Sequence, residues 1–381
     1  MCRFLVYKGT EPIQLSHLVT RPLHSIAVQV FDSRLRFVSD RPFNADGFGI
    51  GWYEAKDERH ARLPLVPTTA DGRHDCDSTG KATSCNISDV VAQRLKAEAE
   101  ERERPCVFKS IHPAWSNANL NRLAEKIRSP LVFAHVRAST MPGAPSEDNC
   151  HPWTFGKLMW MHNGQISDFT LIKRRLQNNL SEELFLHPSG YTDSEWAFAL
   201  FLSKLKDPHA HHFTTMELRT AMLETIAHIN TMYKEAITEA GRKSSPHLLN
   251  FVVSDGENVI ATRYISSRTD EASSLFFSSG TTFEEYAEGG HYRMTKADKR
   301  ENIIMIASEP LTFEQKDWME VKTNTMVVIT PKMNLLQVPI VDEFYVSPHE
   351  EHERSSEYVL SQGYGHGLNV TRNLTTIASS A

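Results

Sequence analysis

Short apolar runs open the chain. Phe4-Leu5-Val6-Tyr7 and Ser25-Ile26-Ala27-Val28-Gln29-Val30 are bounded by polar or turn-forming residues and have the length and residue types of strands. Residues 131–136 and 158–161 read the same way. The period then changes. Trp196, Ala199, Leu200 and Leu202 follow Thr192-Asp193-Ser194-Glu195, whose Thr/Glu spacing fits a capping box, and predict a helix starting at Asp193 or Ser194. Leu218, Met222, Ile226, Ile229 and Tyr233 recur at helical spacing and predict a second helix over roughly 215–240. Strand-like runs resume at 249–254, 258–265, 275–278, 302–307 and 325–330. Strands, then helices, then strands, without regular alternation, predict an α+β architecture of packed, largely antiparallel sheets with helices outside.

Three stretches break the pattern. Residues 55–104 are rich in Gly, Ser, Asp and charge and end in Arg94-Leu95-Lys96-Ala97-Glu98-Ala99-Glu100-Glu101-Arg102-Glu103-Arg104. They read as an irregular surface insertion with one charged helix, set into a domain spanning 2–340. Residues 341–381 turn polar and read as a flexible tail. The run from Asn44 to Gly51 lacks the spacing of a phosphate-binding loop and reads as a turn or packing element.

Composition narrows the class. At 381 residues, 40% apolar and 23% charged, the chain has the make-up of an ordinary globular protein with ample core. A net charge of −6 argues against nucleic acid and anionic membranes as partners. No apolar run approaches the ~18 residues that span a bilayer, and no secretory signal pattern opens the chain. Five widely spaced cysteines without a CxxC pair fit a reducing, cytoplasmic setting and give no zinc or iron–sulfur pattern. His209-Ala210-His211-His212 lacks an accompanying carboxylate or Cys and reads as a polar loop, so neither metal nor cofactor is expected.

The candidate chemistry starts at Cys2. Once Met1 is removed, Cys2 carries a thiol and a free α-amine, which titrate near ~8.5 and ~8 and can share a proton. The amine then serves as general base for its own thiol; the ordinary alternative is a buried structural cysteine. Arg137 ends the run Ala134-His135-Val136-Arg137-Ala138-Ser139-Thr140, where a guanidinium suits a carboxylate or a surface ion pair. Met161-His162-Asn163-Gly164-Gln165 offers an amide and a backbone N–H as oxyanion donors, or a hairpin turn. Asp193 either caps a helix or receives a substrate ammonium. Together these groups describe acyl transfer from the side-chain carbonyl of an α-amino acid, which is a γ-glutamyl site.

In order and wording these motifs resemble the class II glutamine amidotransferases, which are N-terminal-nucleophile hydrolases. The resemblance covers about residues 2–340. It implies a four-layer αββα sandwich, Cys2 as nucleophile and base, and Asn163 with the Gly164 N–H as oxyanion hole. It implies Arg137 and Asp193 as glutamyl binders, with Thr140 in support. Family members that make glucosamine phosphate follow the arginine and threonine with His-Gly, whereas this chain has Met141-Pro142-Gly143. Met1-Cys2-Arg3-Phe4-Leu5, Arg21-Pro22, Phe31-Asp32-Ser33-Arg34, Asn44-Ala45-Asp46-Gly47-Phe48-Gly49 and Ala307-Ser308-Glu309-Pro310-Leu311 look closest to one subgroup, the amidotransferase-like subunit of the fungal Dug glutathione-degradation complex. That resemblance implies cleavage of glutathione to glutamate and cysteinylglycine, in a complex with a metallopeptidase-like subunit. The alternatives are a stand-alone glutaminase supplying ammonia to a separate synthase and a non-catalytic regulatory subunit.

Overall fold

The computed structural model describes residues 2–29, 46–55, 101–137, 145–297, 300–312, 314–347 and 353–363. Thr140, residues 56–100 of the expected insertion and residues 364–381 lie outside the described residues.

Strand β1 (Arg3–Gln14) is the centre of a seven-stranded sheet. It pairs antiparallel with β4 (Arg128–Val136) on one side and β12 (Ile303–Ala307) on the other. Strands β2 (Phe48–Tyr53) and β3 (Cys106–Ser110) extend the sheet beyond β4, while β9 (Phe276–Gly280) and β13 (Met319–Glu320) extend it beyond β12. The second sheet has six strands, with β6 (Leu158–Gln165) and β7 (Leu248–Ser254) paired within it. Beside them run β5 (Trp153–Phe155), β8 (Val259–Arg263), β14 (Thr325–Ile329) and β15 (Leu335–Pro339).

Because strand side chains alternate faces, one strand serves two cores. Phe4 and Val6 of β1 meet Met159, Met161 and Val252 in the core between the sheets. Leu5 and Tyr7 face an outer core closed by α1 (Ser16–Val19), α2 (Ala118–Ala124) and the hairpin of β10 (Thr282–Ala287) and β11 (His291–Thr295). The far face of the second sheet is covered by α3 (Phe169–Asn178), α4 (Glu182–Leu186), α5 (Asp193–Leu202) and α6 (Thr215–Ala240). The result is a four-layer αββα sandwich. Strands buried on both faces explain why their sequences read as continuous apolar runs rather than alternating ones.

The described glycines of this run, two of them inside β2, are packing elements. A Cβ on Gly49 would stand 2.0 Å from the His151 carbonyl oxygen, and one on Gly51 would stand 2.3 Å from Met159 Sδ. Residues 25–29 differ from expectation. They form successive turns rather than a strand, with the Val28 and Gln29 N–H groups donating to Ser25 O, both at 2.9 Å. Gln29 is buried there, and its side chain donates to His24 O at 3.0 Å. Residues 353–363 fold back onto the body: Val359 of α7 (Glu357–Ser361) is fully buried against Leu248, Ile265 and Ala272. Among the described residues no helix is long and apolar enough to cross a membrane.

Candidate active site

The site lies where β1 begins. Arg3 pairs with Val136, so the register carried one residue further sets Cys2 beside Arg137 at the matching ends of β1 and β4. The Arg137 N–H donates to Gly47 O at 2.8 Å, bringing the end of β4 against the entry to β2. Cys2 is half-buried, whereas Arg137 is buried.

A polar anchor holds this strand end. Arg3 is 1% exposed and Glu309, just beyond β12, is fully buried. The Arg3 Nε–H donates to a Glu309 carboxylate oxygen, and Arg3 Nη1 donates to the Cys2 carbonyl at 3.0 Å. His24 Nε2 lies 3.5 Å from the other Glu309 oxygen. Ser308 completes the anchor: its hydroxyl oxygen accepts the Phe4 N–H at 3.1 Å, and its own N–H donates to Phe4 O at 3.0 Å.

Ser308 also bridges to the second sheet. Asn163, near the end of β6 and 1% exposed, places its amide Nδ2 2.9 Å from Ser308 Oγ. One hydroxyl therefore joins the strand that begins beside Cys2 to the Asn-Gly segment. The next residue must be glycine, because a Cβ on Gly164 would stand 1.9 Å from Leu248 O. That same carbonyl lies 3.0 Å from His162 Nε2 and accepts its proton. Nδ1 of His162 is then the ring's acceptor, 2.8 Å from Ser194 Oγ. Burial lowers the His162 pKa, against an opposing pull from Asp193, and the neutral ring fits this bonding.

Asp193 and its neighbours divide the work at the start of α5. Thr192 is the N-cap, accepting the Glu195 N–H at 3.4 Å. The buried Glu195 carboxylate does not return to Thr192 as a full capping box would have it. It accepts the Ser189 and Gly190 N–H groups at 2.9 and 2.7 Å, which Gly190 permits because a Cβ there would stand 2.6 Å from Glu195 Oε2. Asp193 is thereby released from capping. Its carboxylate accepts the Ile166 N–H at 2.7 Å and the Ser194 N–H at 2.9 Å, which ties it to the chain two residues beyond Gly164.

The other titratable groups nearby are disarmed by burial. His135 stacks on His151 with ring centroids 3.8 Å apart, and burial pushes the His135 pKa down to about 3. His151 is lowered in the same way, chiefly by burial. Neither ring takes up a proton near neutrality. Cys150 is fully buried and its thiol is pushed up to about 11 by burial, against the pull of Arg137 and Lys109. A thiol held protonated is a poor nucleophile, which argues against Cys150 as a reactive thiol.

Cys2, Arg137, Asn163, Gly164 and Asp193 thus converge on one end of the sandwich through β1, β4, β6 and the start of α5. Thr140 lies outside the described residues. Sequence reasoning assigned no role to Arg3, Ser308 or Glu309. The available signal was an arginine between Cys2 and the apolar run Phe4–Tyr7, together with Ser-Glu following the run Ile303–Ala307.

Comparison with known proteins points to one family. The chain is 46% identical over 351 residues to the probable glutamine amidotransferase DUG3 of Saccharomyces cerevisiae, across 91% of this chain and 86% of that one. A solved glutamine aminotransferase class-II domain protein from Silicibacter pomeroyi superposes with a TM-score of 0.51. It shares 20% identity, over 90% of this chain and 100% of that one, and the likeness is one of fold. The family model described as glutamine amidotransferases class-II matches residues 99–338, a span that contains Arg137, Asn163, Asp193 and Ser308. The chain belongs to the class-II glutamine amidotransferases.

Proposed function

We propose that the protein hydrolyses a γ-glutamyl amide through a thioester on Cys2, with glutathione as substrate and glutamate and cysteinylglycine as products. The observation that carries this reading is the Phe4–Ser308–Asn163 bridge, which holds an amide next to the strand that begins just after Cys2. Removal of Met1 frees the Cys2 amine to take the thiol proton, and the thiolate attacks the γ-carbonyl carbon. Asn163 Nδ2 and the Gly164 N–H receive the developing oxyanion. As the tetrahedral centre collapses, the C–N bond breaks and the leaving amine takes the proton held by the Cys2 amine. Water, deprotonated by that amine, then attacks the thioester and releases glutamate. Arg137 and Asp193 hold the α-carboxylate and α-ammonium, with Thr140 beside them. The buried, neutral His135 and His151 support a base other than histidine.

The relative in Saccharomyces cerevisiae carries the name of a probable glutamine amidotransferase. For this chain the reading adds a metallopeptidase-like protein subunit as partner and a cytoplasmic setting. Rates on glutathione and on glutamine, with and without such a partner, test it. Glutathione is expected to be the better substrate and Cys2→Ala to abolish turnover while the fold persists. Ammonia release from glutamine alone, at rates glutathione never reaches, would assign the protein to ammonia supply instead.

A further inference from the structure

We infer that Ser308 is a positioning residue that sets the orientation of the Asn163 amide, with Nδ2 turned away from Ser308 and toward the reacting carbonyl. The inference rests on the γ-glutamyl reading above and deepens it. It comes from an imbalance in the hydrogen bonding of two buried groups. Asn163 Nδ2 donates to Ser308 Oγ at 2.9 Å, while Asn163 Oδ1 is buried without a hydrogen-bond partner among the described residues. Ser308 Oγ at the same time accepts the Phe4 N–H at 3.1 Å. The hydroxyl thus accepts twice and gives its proton to neither group, beside an acceptor that has none.

An orphaned buried acceptor is costly, and native proteins rarely keep one. The two ends of an asparagine amide have nearly the same shape, so the surrounding network decides which end faces which neighbour. A half-turn of the Asn163 amide removes the imbalance. Ser308 Oγ keeps the Phe4 N–H and donates its proton to Asn163 Oδ1, and Nδ2 takes the place Oδ1 held. Asn163 then presents two N–H donors on the side away from Ser308, as an oxyanion donor must.

The location of Ser308 gives this arrangement a second consequence. Ser308 is fully buried, its backbone pairs with Phe4, and its carbonyl accepts the Ser274 hydroxyl at 2.8 Å. Its neighbour Glu309 holds Arg3, which in turn holds the Cys2 carbonyl. The Ser308-Glu309 pair therefore fixes the nucleophile's peptide and the oxyanion amide from one rigid strand end. A donor that matters only once charge develops on the carbonyl oxygen affects kcat and leaves substrate binding almost alone.

The test is steady-state hydrolysis of glutathione and glutamine by the full chain and its variants, with melting temperatures measured alongside. Ser308→Ala is expected to lower kcat about 10- to 100-fold with KM within about twofold. In an Asn163→Ala background the same change should add less than about twofold, because Ser308 acts through that amide. Ser308→Cys keeps the shape but bonds weakly, and should lower kcat at least about tenfold at a near wild-type melting temperature. It carries the test if Ser308→Ala does not fold. Unchanged kcat in Ser308→Cys, an effect confined to KM, or an equal fold-loss in both backgrounds would overturn the assignment. A wild-type chain inactive on every γ-glutamyl substrate would overturn the underlying reading, and the Ser308 role with it.

Discussion

Cys150 lies near Cys2 and is fully buried. Burial holds the Cys150 thiol protonated, and His135 and His151 sit beside it stacked and neutral. Burying neutral histidines has a measurable consequence. His135 and His247 are both held down to about 3 by burial, and His247 Nδ1 accepts the Ser167 N–H at 3.0 Å. Between the ordinary histidine pKa near 6.5 and about 3, the unfolded chain binds protons that the folded chain refuses, so stability falls as pH drops through that window. Each histidine contributes about 1.4 kcal/mol per pH unit, so the pair gives roughly 3 kcal/mol per unit between pH 6 and 5. His247→Asn retains an acceptor for Ser167 and is expected to lower the slope by about 1.4 kcal/mol per pH unit, as read from denaturant unfolding at several pH values; an unchanged slope would count against it. None of this was legible in the sequence, where a histidine inside an apolar run carries no mark of its burial.

At the scale of elements, the site depends on where strands end. Arg137 follows β4 and Asp193 opens α5, both visible as short motifs at the edge of an apolar period, whereas Asn163-Gly164 lies within β6, which runs past the apolar run to Gln165. In the structure Thr192 takes the cap, and the Asp193 carboxylate accepts the Ile166 N–H instead. The Arg3–Glu309 pair was not legible, since its members stand 306 residues apart and their pairing arises only from the β1–β12 ladder. Glu309→Ala leaves a buried guanidinium without its carboxylate and should cost about 3–5 kcal/mol in chemical unfolding. Replacing both partners, Arg3→Met with Glu309→Leu, should recover most of that stability. Turnover should stay low in the double variant, because Cys2 O no longer has its Arg3 donor. Recovery of kcat along with stability would show that the pair serves folding alone.

Over the whole molecule, the succession of strand-like and helical runs was enough for packed antiparallel sheets with helices outside, because strands buried on both faces and a long helix leave strong periodic marks; the four-layer order came from the family resemblance. The turns at 25–29 and the docking of α7 onto Leu248 and Ile265 left no such marks, since both depend on contacts remote in the chain. The sandwich gathers four separate segments at one end, where we propose that they serve the Cys2 thiol. Treatment with diazo-oxonorleucine, a glutamine-mimicking electrophile, followed by mass mapping tests this. The expected result is a single adduct on a Cys2 whose α-amine is free, with hydrolysis lost in proportion to labelling. An adduct on Cys106, Cys150 or any other residue, or full hydrolysis by a chain labelled at Cys2 or still carrying Met1, would contradict it.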